Sequence, residues 1–244
     1  MGRRWVEALA GTLLLLSLQV QAQENQLDRI QLLRSESYRA VSIVLLSYNA
    51  FSRTLAPDRR DEYLGSLEKM AAVMGDPGLA TLEDEFAEFA GAIRSLDENA
   101  RDVALVSVNQ ALSAQAKLIT AAGELYASRQ TADSARKQRL HALSVANGQM
   151  LISYQMRPYG GLVLYPGLLL NEESLLALDG QITAGLELLR QDGMQPERDI
   201  DSMQRNYRYV RPKFFDAQKE FAAYVVDHYL GQNMERLDAF AGRL

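Results

Sequence analysis

Only two imidazoles, His141 and His228, occur in this chain of 244 residues, and there is no cysteine. Without thiols there are no disulfides, thiolate metal sites, covalent haem links, cysteine nucleophiles or lipid-modified cysteines. Neither histidine has a second histidine or a carboxylate three or four residues later. That spacing would put two metal ligands on one helix face, so no metal centre is predicted. Carboxylates are plentiful, but no pair stands apart as acid and base. There is no Gly-x-Ser-x-Gly elbow, Walker loop or dinucleotide glycine pattern. The acidic run Glu83, Asp84, Glu85 and Glu88 around Phe86 and Phe89 reads as a solvated helix face over a core stripe. These residues predict a non-catalytic protein without a cofactor.

Recognition chemistry is better represented. Arg157, Tyr159, Arg208 and Arg211, with Tyr154, Tyr207 and Tyr209, supply cations and aromatic tips. They could line a pocket for a small anion or polar metabolite if their two segments meet at one end of the molecule. Ordinary helix-end capping by the arginines is the competing reading. Between these groups lies "SYQMRPYGGLVLYPGLLLNEES", residues 153–174. Pro158 disfavours helix at Arg157, and Gly160 and Gly161 let the chain reverse. Leu162, Val163, Leu164, Tyr165 and Leu168–Leu170 then form an apolar loop. It can fold back as a core plug or stand out as a docking patch for a partner. A membrane dip fits worse, because no Lys or Arg occurs between Arg157 and Arg190.

Helices must position these groups. Leu27, Ile30, Arg34, Ser37, Val41, Val44, Tyr48, Phe51 and Leu55 step by three or four, predicting one helix to Ala56-Pro57. "DRRDEYLGSLEKMAAVM" predicts a second, and the Phe86/Phe89 stripe a third. Residues 97–130 read as one element, roughly 50 Å long at 1.5 Å per residue. A further helix runs from Ser134 to Pro158, and Asn171 caps another to Arg190. The tail from Glu197 reads as helix, kinked or restarted at Pro212. No alternation of period two is long enough for a convincing strand. The fold class is all-α, an elongated up-and-down helical bundle. "RIQLLRSESYRAVSIVLLSY" from Arg29 and "RLHALSVANGQMLISYQMRPY" from Arg139 share a pattern 110 residues apart. This suggests two related halves, 23–131 and 132–244.

"MGRRWVEALAGTLLLLSLQVQAQE" reads as a signal peptide, residues 1–22, with Arg3 and Arg4, a short apolar run and Val20-Gln21-Ala22. The apolar run is shorter than the roughly 20 residues of a spanning helix. Export to the periplasm of a double-membraned bacterium is expected, with no stable membrane span after cleavage. The formal charge of −5 becomes −6 once Arg3, Arg4 and Glu7 are removed. An acidic chain without a basic cluster argues against nucleic acid and anionic lipid.

"LSVANGQMLISYQMR" resembles the motif I-N-x-A-G-R-Q-R-M-L-S-Q-R-M of the type IV pili methyl-accepting chemotaxis transducer N-terminal family, the PilJ- and NarX-like periplasmic sensor domain. Ala146, Gln149, Ser153 and Met156 match, and Ser37-Tyr38-Arg39 repeats part of the motif. Tyr209, Arg211 and Pro212, then Tyr229, Met234, Leu237 and Ala241, resemble the tail of standalone members. Gly148 and Met150 stand where the family has arginines, which argues against a nitrate-like ligand. The resemblance implies a sensor-type accessory protein beside a membrane chemoreceptor, pilus or two-component sensor. Arg39, Gln149, Tyr154, Arg157, Tyr159, Leu164, Tyr165, Tyr209 and Arg211 are the candidate ligand- or partner-binding residues.

Overall fold

Leu27, Ile30, Leu33, Val41 and Val44 bury one stripe of the first helix, yet Gln31, Ser37, Ser42 and Ser47 of the same helix are buried too. A helix enclosed on most sides sits at the centre of its packing. The structure, a computed structural model, describes residues 26–132, 134–168, 171–193, 197–215 and 221–244. The expected signal peptide lies outside the described residues. Helix α1 covers 26–47. It is followed by α2 (Arg60–Met74), α3 (Glu83–Glu98), α4 (Leu105–Ser128), α5 (Ala135–Met156), α6 (Glu172–Gln191), α7 (Glu197–Phe215) and α8 (Ala223–Ala241). The fold is an all-α helical bundle.

α5 is the second central helix, buried from Leu143 to Met156 except at Gln149. Several of its polar side chains bond within the bundle, although Asn147 Oδ1 and Gln155 Oε1 accept no hydrogen bond. Asn147 donates to the Leu143 carbonyl and Ser153 to that of Gln149. α1 and α5 lie side by side and point the same way. Asp28 meets Lys137 (2.8 Å), Ser35 meets Ser144 (3.4 Å), Tyr38 covers Gly148, and Ser42 meets Gln155 (2.7 Å). Partners advance together along both helices, which only a parallel pair allows. Their sequence separation stays near the 110 residues that relate the two sequence segments. The other helices alternate in direction around this pair. Asp97 ties α3 to α2 by accepting from Arg60 and Tyr63. Asp179 of α6 accepts from Tyr207 and, through both oxygens, from Arg211 of α7.

Three boundaries differ from the sequence reading. α1 stops at residue 47 rather than running to Leu55, because the chain turns into a small hairpin, β1 (Tyr48–Asn49) against β2 (Thr54–Leu55). Asn49 builds the turn by accepting from the Phe51 and Ser52 amides, and Arg53 takes a left-handed φ of 59°. Phe51 at its tip is fully exposed although it fell on the apolar spacing. The long element expected over 97–130 is broken between α3 and α4. There the Val103 amide donates to the Arg53 carbonyl, so the hairpin holds the chain extended. Finally, α7 runs through Pro212 to Phe215, so of the kink or restart expected at Pro212 the restart does not occur there, and α8 begins at Ala223.

The apolar loop forms a strap across the bundle end where α1 finishes. Tyr159 hydroxyl points at the terminal carbonyls Leu45 (2.9 Å) and Tyr48 (3.1 Å). Asn109 of α4 clamps the strap from both sides, donating to the Leu162 carbonyl and accepting from the Leu164 amide. Val163 is buried and Tyr165 reaches Gln115, whereas Leu162 and Leu164 stay 66% and 62% exposed. The plug and the exposed patch are therefore alternate residues of one segment; Leu169 and Leu170 lie outside the described residues. Chemical unfolding should separate the two sets. Val163→Ala is expected to cost about 1–3 kcal/mol, and Leu164→Ser to stay within about 0.5 kcal/mol. The reverse order would contradict the strap.

Candidate functional site

Asp227, Gly231, Glu235 and Asp238 are spaced four, four and three residues apart, which puts them on one face of α8. Asp28, Leu32, Ser35, Arg39 and Ile43 form the matching face of α1. The two helices run antiparallel, since Gln31 meets Asp238 near the start of α1 and Ser42 meets Asp227 near its end. Between them lies a groove of about 710 Å³. It exists because the wall is cut back: Gly231 has no side chain, and a Cβ there would touch nothing within 4 Å. Leu32, Ile43, Leu151 and Met234 give it an apolar lining. Asp28 to Ile43 spans about 22 Å at the helical rise.

Ion pairs brace the walls. Arg39 bridges to Glu235 across the groove. At the upper mouth Arg59 binds Glu62 (2.6 Å) and Asp227 (3.0 Å), with its guanidinium over the Tyr224 ring. These contacts hold the Arg59 guanidinium firmly protonated, with the Glu62 hydrogen bond the largest cause.

The lower end contains the unusual chemistry. Asp238 Oδ2 accepts from Ser35 Oγ at 2.6 Å, and Oδ1 accepts from Gln31 Nε2 at 3.0 Å. Burial pushes this carboxyl up to about 6, against the hydrogen bonds from Ser35, Ser144 and Gln31, with nearby Glu36 adding to the rise. A carboxyl that titrates near neutrality in a cleft is a recognised mark of a functional site. Beside it, burial pushes His141 down to about 3, helped by Lys137 and Arg34. The ring is therefore neutral. Tyr126 hydroxyl lies 2.9 Å from its Nδ1, and Nε2 lies 3.4 Å from Asp28 Oδ1. Both histidines line the groove, but His228 sits on the α8 stretch nearer the upper mouth. Among the described residues no group of three or more His, Asp or Glu side chains is placed to hold a metal.

Of the residues nominated from sequence, Arg39 alone lines this groove. Arg157 and α7 do meet at one end of the bundle, as the anion-pocket reading required. There Arg157 donates to the Lys213 and Phe214 carbonyls and covers the Tyr154 ring, which is helix-end capping. Arg211 is engaged by Asp179. Tyr154 is buried, stacks on Phe221 and accepts from the Ala222 amide. Tyr159, Leu164 and Tyr165 belong to the strap, and Gln149 bonds to Tyr38 beneath it. Tyr209 is exposed and packs edge-on against Tyr229. Gly148 and Met150, where the resemblance pointed to arginines, are both buried.

The sequence reading missed Asp227, Glu235 and Asp238. Their spacing on α8 was the available signal, but acids on a helix usually mark a solvated face. The acidic run on α3 does behave that way: Phe89 is buried while Glu83, Asp84 and Glu88 are exposed. No family model matches this chain. No curated protein or solved structure is significantly similar to it.

Proposed function

We propose that this is an exported, non-catalytic sensor-type accessory protein that takes a ligand, or a segment of a receptor, into the α1/α8 groove. The observation that carries the reading is the groove itself, an open volume in the range of small-ligand pockets with an enclosed acid at its foot. Asp238 is bonded to α1 and adjoins Ser144 of α5, so an occupant touching it would bear on all three helices at once. Such an occupant shifts the packing only by favouring one arrangement over another. The motif matches support placing the protein beside the periplasmic part of a membrane chemoreceptor, pilus or two-component sensor, and the signal-like leader supports the periplasm. The test is a thermal-shift panel of metabolites, ions and amines on the parent protein and on Gly231→Leu, which fills the groove. A true ligand raises the melting temperature of the parent alone, since binding only the native state stabilises it. If no compound distinguishes the two proteins, the reading fails.

A second reading, a structural or chaperone-like adaptor with no small ligand, is favoured by one observation. Phe51, Val106, Leu162 and Leu164 are exposed apolar side chains on segments gathered at the strap end. It predicts an unresponsive panel together with recovery of a membrane receptor that is lost when these residues are made polar.

A further inference from the structure

We propose that the α1/α8 groove is a receptor site for a linear aliphatic polyamine, several ammonium groups joined by methylene spacers. This inference rests on the groove being the ligand site. Six carboxylates line it among the described residues, against two guanidiniums. Both guanidiniums are already paired within the walls, Arg39 with Glu235 and Arg59 with Glu62 and Asp227. Asp28 has Lys137. The carboxylates least compensated are Glu36 and Asp238. Glu36 Oε1 accepts from Lys69 at 2.9 Å, but its Oε2 is enclosed and accepts no hydrogen bond. Asp238 has the neutral donors Ser35, Gln31 and Ser144, and the Arg34 guanidinium acts on it without an ion pair at bonding distance. An enclosed acceptor without a donor is a cost, and an ammonium held beside the Glu36 carboxylate would offset it through its charge.

The distribution of charge chooses among cations. An anion meets an excess of negative charge, because six carboxylates face only Arg39 and Arg59 from the lining and Lys69 and Lys137 from behind it. A single metal ion needs carboxylates gathered at one point, whereas these run along both walls from Asp28 and Asp238 to Glu62 and Asp227. A ligand with charges separated along a chain matches that spread. Between the carboxylates the lining is apolar, at Leu32, Ile43, Leu151 and Met234. Methylenes lose water favourably against such a surface. A volume of about 710 Å³ suits a molecule of this size.

Calorimetric titration with spermidine and spermine, on the whole chain at pH 7.5 and about 0.15 M salt to screen loose surface attraction, tests the proposal. The expected result is saturable one-to-one binding, at least 10-fold weaker in Asp238→Asn and in Glu36→Gln. An Asp84→Asn/Glu85→Gln control on the outer face of α3 should bind as the parent does. Absent binding, equal loss in the control, equal response to magnesium, or binding of tetralysine without spermidine would each overturn it. If another compound stabilises the parent but not Gly231→Leu while spermidine does nothing, the polyamine assignment falls and the groove stands as a ligand site. If no compound does so, the reading beneath it falls as well.

Discussion

Asp238→Asn is expected to be more stable than the parent protein at pH 7.5, and the gain should vanish on acidification to about pH 4. Burial raises the carboxyl from 3.8 to about 6, so the folded protein holds this proton more tightly than the unfolded chain does. A raised acid contributes its full stability below the unfolded value and loses it as pH rises through the folded one. The difference corresponds to about 3 kcal/mol at pH 7.5, as an upper bound. Asparagine keeps an oxygen for Gln31 and can turn its amide to the Ser35 hydroxyl, so the two hydrogen bonds to α1 survive in altered form.

His141 has the opposite sign. Its folded value of about 3 lies below the ordinary imidazole value of 6.5, so its contribution is present above 6.5 and is lost as pH falls toward 3. In the parent the two groups partly cancel between pH 4 and 6. In Asp238→Asn the histidine acts without that opposition, and stability should fall more steeply with acid. Urea unfolding of both proteins from pH 4 to pH 8 measures this. A stability gap that does not change with pH would sink the argument. A variant less stable than the parent at pH 7.5 would sink it too. An acid that destabilises its own fold is what a binding residue looks like when activity and stability compete.

The second large effect should come from Gly148→Ala. A Cβ at Gly148 would lie 2.7 Å from Tyr38 Cγ and 2.8 Å from Cδ2, and Tyr38 is itself fully buried. Both atoms belong to the root of a packed ring, not to the free end of a flexible chain. The parallel pair α1/α5 must therefore move apart or Tyr38 must leave its rotamer, at a cost of about 1–3 kcal/mol. Gly91→Ala, at an exposed position of α3, is the control. Its Cβ would meet nothing within 4 Å, and alanine should gain about 0.5–1 kcal/mol there through helix propensity. In a Tyr38→Ala background the Gly148→Ala penalty should disappear. If the penalty persisted there, the ring contact would not be its cause.

The helices were legible because their apolar stripes follow the helical period, and Asn171 does cap α6 through the Ser174 amide. Helix ends set by distant contacts were not. The Tyr48–Leu55 hairpin depends on the α3–α4 connection, which binds it through the Ala100 carbonyl and the Val103 amide. Nothing local to residues 48–55 announces those partners. The central positions of α1 and α5 were also hidden. Buried Ser, Gln and Asn look solvent-facing in sequence, but here they bond to each other and to backbone carbonyls. Arg157 and Arg211 drew attention as cations, yet only the three-dimensional fold supplies their carbonyl and carboxylate partners. The groove needed two faces, each unremarkable alone, to be set opposite one another.

The groove's walls come from α1 and α8, the earliest and latest described helices. The contacts across it join residues 196 and 207 positions apart, Arg39 with Glu235 and Gln31 with Asp238. Contacts that distant carry the entropic cost of closing the whole intervening chain. A polypeptide interrupted before residue 223, or folded only in its earlier half, would therefore lack the groove altogether. An intact groove is in this way a report that both ends of the described chain have been made and brought together.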